Sequence, residues 1–263
     1  MKVIGLLNQK GGCGKTTSSC SLAYGLAKRG KKVLMVDMDA QCNLTSWQGL
    51  NPEEIEVSLY DVMTDKKSVR DAIAEIIPGK LDILPSTPDV AALDLELSSR
   101  VRREFVLTKK FKEIENDYDY VVLDTPPALA LVTINAMVAC DYIIIPTDTA
   151  VFSMKGMQRL AGTIETVREC NEDLKILGVL IVRNRANTKI SKVLSETIMN
   201  LVKQFGTEVF ESRIRDQVGV NESQLYGENL LDFFAGDRKE GKEDAGTDYE
   251  KFVDEVLERI GDK

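Results

Sequence analysis

The chain has 263 residues, enough for one large domain, and its formal net charge of −8 excludes a surface that attracts nucleic acid over its whole area. It contains no histidine, which excludes histidine general bases and argues against a zinc site. No apolar run approaches the roughly 18 residues of a membrane span, and five cysteines without a paired spacing indicate a reducing cytoplasm.

Apolar and helix-like runs alternate along the chain. The first strand-like run, Val3–Leu7, begins at once, so no signal peptide is expected. Continuous runs rich in Val, Ile and Leu predict further strands at 32–37, 81–85, 118–124, 142–146 and 176–182. Helices are predicted between them at 18–29, 58–76, 90–116, 129–140, 153–171 and 189–205. The alternation predicts an α/β fold with a doubly wound, mostly parallel sheet and helices on both faces, in a single domain of residues 1–263.

The C-terminal part differs in composition. Residues 236–248 are charged and poor in apolar side chains, which predicts a mobile surface loop. The final predicted helix, 249–260, is amphipathic with an acidic polar face. A helix that lies on a membrane carries Lys and Arg on that face, so we expect this one to pack on the sheet, with no stable membrane association.

A glycine-rich segment at 9–17 joins the first strand to the first helix, the context of a phosphate-binding loop. Its backbone can turn N–H groups inward at three glycines, Gly11, Gly12 and Gly14. Lys15 supplies a positive charge for the β and γ phosphates, and Thr16 supplies a hydroxyl for Mg²⁺. A turn that only caps a helix would leave the convergence of Lys10 and Lys15 unexplained.

Carboxylates follow two predicted strands. Asp37 and Asp39 end the second strand, and ligands of parallel sheets lie at the carboxyl ends of strands. Asp124 ends the fourth strand after four apolar residues, the usual form of the second magnesium motif. The prolines that follow, Pro126 and Pro127, predict a stiff loop close to the γ phosphate. The alternatives are an aspartate that caps a turn and a simple strand terminator.

The position of Lys10 before the first glycine gives the pattern KGGxGKTT, the signature of the deviant Walker A ATPases. The chain resembles the ParA/Soj branch of the ParA/MinD family over nearly its full length. Three further segments occur in the family's order: DMDAQCNLT, VVLDTPPAL and IRDQVGVNESQLYGENL. The resemblance implies a P-loop NTPase fold, binding of ATP and Mg²⁺, a homodimer in the ATP state, and ATP hydrolysis that is slow without a partner.

The resemblance also implies roles for individual residues. Lys10 would contact the partner's phosphates, Lys15 those of its own site, and Asp39 would arrange the hydrolytic water. Thr16 and Asp37 would hold magnesium, with Asp124 supporting through water. The remaining implied nucleotide contacts are Gly11, Gly12, Cys13, Gly14, Thr17, Ile214 and Asp216.

The chain departs from the family at Ala40 and Cys42, where the family usually has Pro and Gly. Cys42 in place of Gly removes backbone freedom from a switch-like loop, which puts the rate of hydrolysis in question more than nucleotide binding. Cys13 lies inside the phosphate loop, where a helix N-terminus and two lysines are expected to lower the pKa of its thiol. A thiol reagent would then block ATP binding; the alternative is a small space-filling residue.

Basic residues occur in two later regions. The first is placed on the predicted helix at 90–116 and contains Arg100, Arg102, Arg103, Lys109, Lys110 and Lys112. The second contains Arg183, Arg185, Lys189, Lys192, Lys203, Arg213 and Arg215. The resemblance implies binding of DNA without sequence preference through the second region, and such binding depends strongly on salt. The alternative is a solvated surface of mixed charge.

The resemblance implies a cytoplasmic, nucleoid-associated ATPase that drives plasmid or chromosome partitioning with a ParB-type centromere-binding partner. A MinD-like membrane-surface regulator is the first alternative, and the acidic final helix argues against it. ParA-like positioning of a protein cargo is the second, and the sequence does not separate it from partitioning. A redox enzyme like the nitrogenase iron protein would need cysteines in the middle of the chain, and none lies between residues 43 and 139.

Overall fold

A computed structural model describes residues 1–148, 154–184, 198–199, 202, 206–237 and 243–262. Within these residues the strands are β1 Lys2–Leu6, β2 Val33–Asp37, β3 Ala74–Ile77, β4 Leu81–Leu84, β5 Tyr120–Asp124, β6 Tyr142–Asp148, β7 Lys175–Asn184 and β8 Val209–Arg215. The α-helices are α1 Lys15–Lys28, α2 Asn43–Trp47, α3 Leu59–Met63, α4 Val69–Ala72, α5 Leu93–Leu97, α6 Val106–Phe111, α7 Leu131–Ala139, α8 Met154–Arg168, α9 Gly219–Leu225, α10 Leu230–Asp237 and α11 Ala245–Ile260. Short 3-10 helices span Pro88–Ala92, Arg103–Phe105 and Lys112–Ile114.

The eight strands form one sheet in the order β3-β4-β2-β5-β1-β6-β7-β8. Every neighbouring pair is parallel except β3 and β4, which are antiparallel. Successive residues of the central strands face opposite cores: Val3 joins the core on one face, and Ile4 joins the core on the other. Because both faces are covered, these strands have continuous apolar sequences. The predicted doubly wound fold is confirmed.

The predicted helix at 58–76 is wrong. The chain forms the short helices α3 and α4 there, followed by the edge strand β3. Ser58 and Ser68 each begin a helix with a capping box, paired with Asp61 and Asp71 three residues later. Between the two helices Asp65 adopts a left-handed φ of 62°, which ends α3 before α4 begins.

The predicted helix at 90–116 is also wrong. A 3-10 turn and α5 are separated from α6 by a break at Arg102, whose φ is 57°. The six basic residues assigned to one helix therefore lie on several short elements. The predicted helix at 189–205 lies almost wholly outside the described residues.

The C-terminal helix α11 begins at Ala245, four residues before the predicted start at 249. Asp244 caps it by accepting a 2.7 Å hydrogen bond from the Thr247 backbone N–H. Because α10 extends to Asp237, the predicted loop at 236–248 is shorter at both ends, and its residues 238–242 lie outside the described chain.

The helix α11 packs on the sheet, as expected, and its Glu255 carboxylate accepts hydrogen bonds from the Glu211 and Ser212 backbone N–H groups of β8 at 2.9 Å each. It also packs against α1. The contact is close, since a Cβ atom added at Gly25 of α1 would lie 2.5 Å from Cγ2 of Val253. Among the described residues, no helix is both long enough and apolar enough to cross a bilayer.

Candidate functional site

The phosphate loop leaves β1 after Leu6 and ends at Gly14, the residue before α1. Gly12 and Gly14 have φ values of 73° and 76°, a backbone region that glycine adopts without strain. A Cβ atom at Gly14 would lie 3.3 Å from Val182 of β7, so the loop also lies close to the end of that strand. These positions explain why glycines recur in the segment.

Two side chains close the loop around one carbonyl oxygen. The Lys15 ammonium donates to the Lys10 carbonyl oxygen at 3.2 Å, and the Cys13 thiol lies 3.0 Å from the same oxygen. Lys15 is buried, whereas the side chain of Lys10 is exposed. Burial raises the pKa of the Cys13 thiol above its ordinary value, and the charge of Lys15 offsets only part of the rise. The expected low pKa of Cys13 is therefore wrong.

Two buried carboxylates meet at the carboxyl ends of β2 and β5. Asp37 and Asp124 are direct register partners on these adjacent strands, and both are buried. Burial is the largest cause that raises the pKa of each carboxyl group. The charge of Asp37 raises the pKa of Asp124 further, against smaller opposing effects of Thr16 and Lys15.

The Oδ2 atom of Asp124 is buried and has no hydrogen-bond partner, and Oδ1 lies 3.4 Å from the Ser19 hydroxyl oxygen. An orphaned carboxylate oxygen beside a second buried carboxylate fits a bound divalent cation. Within the described residues, no group of three or more acidic or cysteine side chains could hold a metal ion. A magnesium ion here would therefore also need the Thr16 hydroxyl, phosphate oxygens and water as ligands.

The segment after β2 is fixed by hydrogen bonds to Asp37. Its Oδ2 accepts from the Thr45 hydroxyl at 2.7 Å, and its Oδ1 accepts from the Asp39 backbone N–H at 3.1 Å. Cys42, at the start of α2, has a φ of 55°, the left-handed region that glycine occupies without strain. The departure noted in the sequence thus falls where a side chain strains the backbone.

A cavity of about 1150 Å³ opens beside the loop. Of the predicted nucleotide and catalytic residues, it is lined by Gly11, Gly12, Gly14, Lys15, Thr16, Thr17, Asp39, Ile214 and Asp216. Lys10 and Cys13 line a second cavity of about 300 Å³ on the other side of the loop. Most of the predicted phosphate and purine residues therefore converge with Asp39 on one cavity, whereas Lys10 and Cys13 line the other.

Several lining residues were not identified from the sequence. They include Trp47 at the end of α2, Gln224 on α9, and Tyr249, whose hydroxyl lies 2.9 Å from the Ser18 hydroxyl. Tyr249 lies near the start of α11, a helix assigned from the sequence only to packing on the sheet. Gln224 lies in the segment IRDQVGVNESQLYGENL. That segment was part of the family resemblance, but the resemblance did not assign a role to Gln224.

Three of the six residues of the first basic region make structural contacts. Arg100 and Lys110 both pair with Asp65, at 2.7 and 2.9 Å. Arg103 donates to the Ser98 carbonyl oxygen at 2.6 Å. Arg102, Lys109 and Lys112 are exposed.

The second basic region is described only in part. Arg183 lines the large cavity and lies 3.8 Å from the Asp148 carboxylate. Arg215 pairs with Asp248 at 2.7 Å, and Arg213 is half-buried on β8. Arg185, Lys189, Lys192 and Lys203 lie outside the described residues.

Two bacterial proteins resemble this chain over most of its length. The AAA domain family matches residues 1–176. The sporulation initiation inhibitor protein Soj of Bacillus subtilis is 35% identical over 231 residues, 88% of this chain and 90% of Soj. The chromosome partitioning protein ParA of Caulobacter vibrioides is 33% identical over 235 residues, 88% of this chain and 86% of that ParA. The chain belongs to the ParA/Soj family of partition ATPases.

A solved structure extends the likeness of this ParA/Soj chain to three dimensions. Cobyrinic acid a,c-diamide synthase from Mycobacterium smegmatis, with a bound ATP analogue and magnesium, matches with a TM-score of 0.83 at 26% identity. The match covers 99% of this ParA/Soj chain and 95% of the synthase. The expected P-loop fold of the deviant Walker A type is thereby confirmed.

Proposed function

We propose that this chain is a Mg-ATP-dependent, dimerising ATPase that binds DNA nonspecifically and drives plasmid or chromosome partitioning with a ParB-type partner. The observation that carries the proposal is the pair Asp37 and Asp124, buried side by side with the Asp124 Oδ2 atom unsatisfied, next to the phosphate loop. The likeness to two proteins named chromosome partitioning protein ParA supports the partitioning role. We expect a cytoplasmic, nucleoid-associated protein.

The site residues divide the work of hydrolysis. The loop N–H groups and the start of α1 favour the phosphates of ATP, and Lys15 adds a positive charge. Asp39 lines the cavity and orients water for attack on the γ phosphorus, so that the bond to the bridging oxygen breaks and ADP leaves. Magnesium, when bound by Thr16 and Asp37 with support from Asp124, would neutralise charge on the β and γ phosphates.

Dimerisation rests on Lys10. Its side chain is exposed and lines the smaller cavity, not the large one. We expect Lys10 to contact the partner's phosphates, so that two ATP molecules are enclosed between two chains. Without a partner protein, the enclosed site turns over slowly.

The first test is nucleotide binding by Lys15→Ala and Lys10→Ala, with Lys109→Ala as a control because Lys109 is exposed and does not line the cavity. Lys15→Ala should abolish ATP binding. Lys10→Ala should retain ATP binding and lose both dimerisation and hydrolysis. ATP binding by Lys15→Ala at the wild-type affinity would contradict the assignment of the site.

The second test is DNA binding by Asp39→Ala, which should bind ATP, fail to hydrolyse it and persist as a dimer. Nonspecific duplex is titrated with ATP, with ADP and without nucleotide, at two salt concentrations. Binding should require ATP. Alanine is then introduced at Arg185, Lys189 and Lys192. The slope of log affinity against log salt should become shallower by about 0.9 for each DNA phosphate that is no longer neutralised. If the ATP-bound dimer does not bind DNA, then DNA is not the surface on which this protein acts.

A further inference from the structure

The helix α9 reaches the phosphate loop through one side chain. The Nε2 atom of Gln224 donates to the hydroxyl oxygen of Thr17 at 3.0 Å, and 207 residues of chain separate the two. Both residues line the large cavity. Thr17 lies in the first turn of α1, where the loop and the helix N-terminus favour an anion. The contact therefore lies where a phosphate would enter.

The segment that carries Gln224 is anchored on both sides of it. Before it, a Cβ atom at Gly219 would lie 2.7 Å from the Phe234 ring, so the start of α9 packs directly on α10. After it, the Glu228 carbonyl oxygen accepts a 2.8 Å hydrogen bond from the Trp47 indole N–H at the end of α2. These two anchors hold Gln224 over Thr17.

We infer that Gln224 is a positioning residue for phosphate binding, acting through Thr17. The inference rests on the proposed nucleotide site and adds to it a residue that does not itself touch the phosphate. The amide N–H of Gln224 occupies a lone pair of the Thr17 oxygen, and the hydroxyl hydrogen is left to donate to an acceptor in the cavity. A phosphate oxygen is such an acceptor.

Without the hydrogen bond from Gln224, the Thr17 side chain loses a contact that fixes its orientation. The amide of Gln224 favours the rotamer in which a lone pair of the Thr17 oxygen faces α9, so the hydroxyl is already oriented when a phosphate binds. The binding free energy that the oriented Thr17 hydroxyl adds is the same for the bound substrate and for the transition state. Loss of Gln224 should therefore raise KM and leave kcat unchanged.

The variant Gln224→Leu tests this role, with Glu222→Leu, exposed on the same helix, as the matched control. Competition against a fluorescent ATP analogue gives affinities for ATP, ADP, AMP and adenosine. Loss of one hydrogen bond of this kind should weaken the three phosphorylated ligands by about 5-fold and leave adenosine unchanged. KM for ATP should rise by the same factor at constant kcat. Glu222→Leu should match the wild type throughout.

A double-mutant cycle with Thr17→Val isolates the pair. Once the hydroxyl is absent, Gln224→Leu should cause no further loss of ADP affinity. Equal weakening of adenosine would mean that Gln224 contacts the nucleoside, and tighter ADP binding by Gln224→Leu would mean that Gln224 blocks the site. Either result overturns the inference while leaving nucleotide binding by the wild type intact. Failure of the wild type to bind any nucleotide would instead overturn the proposed function.

Discussion

Asp37 and Thr45 are joined by two hydrogen bonds: Asp37 Oδ2 accepts from the Thr45 backbone N–H at 2.8 Å and from its hydroxyl at 2.7 Å. The same hydroxyl oxygen accepts from the Ser86 backbone N–H at 3.0 Å. One buried hydroxyl therefore ties the end of β2 to α2 and to the segment after β4.

Replacing this hydroxyl should destabilise the fold. Thr45→Val keeps the shape of the side chain but leaves the Ser86 N–H without its acceptor and Asp37 with one donor fewer. We expect a loss of about 2 kcal/mol in the free energy of unfolding, measured by urea titration. Thr45→Ser keeps the hydroxyl and is the control. A valine variant no less stable than the serine variant would contradict this account.

Strain at Cys42 can be separated from loss of its thiol by two substitutions. Cys42→Ala and Cys42→Gly both remove the sulfur, but only glycine relaxes at the observed φ of 55°. The glycine variant should therefore be more stable than the alanine variant by about 1 kcal/mol, as measured by thermal unfolding. If alanine is the more stable of the two, the left-handed conformation is not strained. ATP turnover of the pair would show whether that strain affects hydrolysis.

The packing of α1 on α11 should not tolerate a methyl group at Gly25. Gly25→Ala would place Cβ 2.5 Å from the Val253 side chain, and we expect a loss of about 1–3 kcal/mol. Gly162 of α8 is the matched control, because apart from its chain neighbours and its own helix backbone no atom lies within 4 Å of a Cβ there. Gly162→Ala should stabilise the protein by about 0.5–1 kcal/mol. The two variants should thus shift the melting temperature in opposite directions.

Lys110 should contribute to stability in a pH-dependent way. The hydrogen bond from its ammonium is the largest of the effects that lower the pKa of the Asp65 carboxyl group below 3.8. A lowered pKa in the folded state adds stability that is present above the unfolded pKa and is lost as the pH falls through the folded one. The stability difference between the wild type and Lys110→Met should therefore shrink as the pH falls from 7 to below 3.8. The control Lys109→Met changes an exposed neighbour, and its stability difference from the wild type should not depend on pH. If the stability difference for Lys110→Met is also independent of pH, the ion pair with Asp65 does not account for the contribution of Lys110.

The acidic and phosphate residues could be placed from the sequence because their strands are central and covered on both faces. Continuous apolar runs end at Asp37 and Asp124, which marks the carboxyl ends of β2 and β5. The edge strands were missed for the opposite reason. In β8 (VFESRIR) three successive polar residues separate the apolar ones, so neither a continuous apolar run nor a regular alternation marks the strand.

Of the two breaks in the predicted helices, one has a signal in the sequence and the other has none. Ser68 and Asp71 form a capping box, whose three-residue spacing is visible in the sequence. The break at Arg102 had none, since an arginine gives no indication of a left-handed φ. The contact between Thr17 and Gln224 could not be predicted either, because it depends on how α9 packs against α10 and α2.

The central position of β1 delays assembly of the site during synthesis. The strand that precedes the phosphate loop is made first, yet its neighbours β5 and β6 begin at Tyr120 and Tyr142. At about 5–20 residues per second, the ribosome needs on the order of 10 s to supply both neighbours. Until then β1 exposes two unpaired edges, and the loop has no sheet to hold it. We therefore expect the nascent chain to acquire nucleotide affinity abruptly, after β6 has emerged, rather than in proportion to its length.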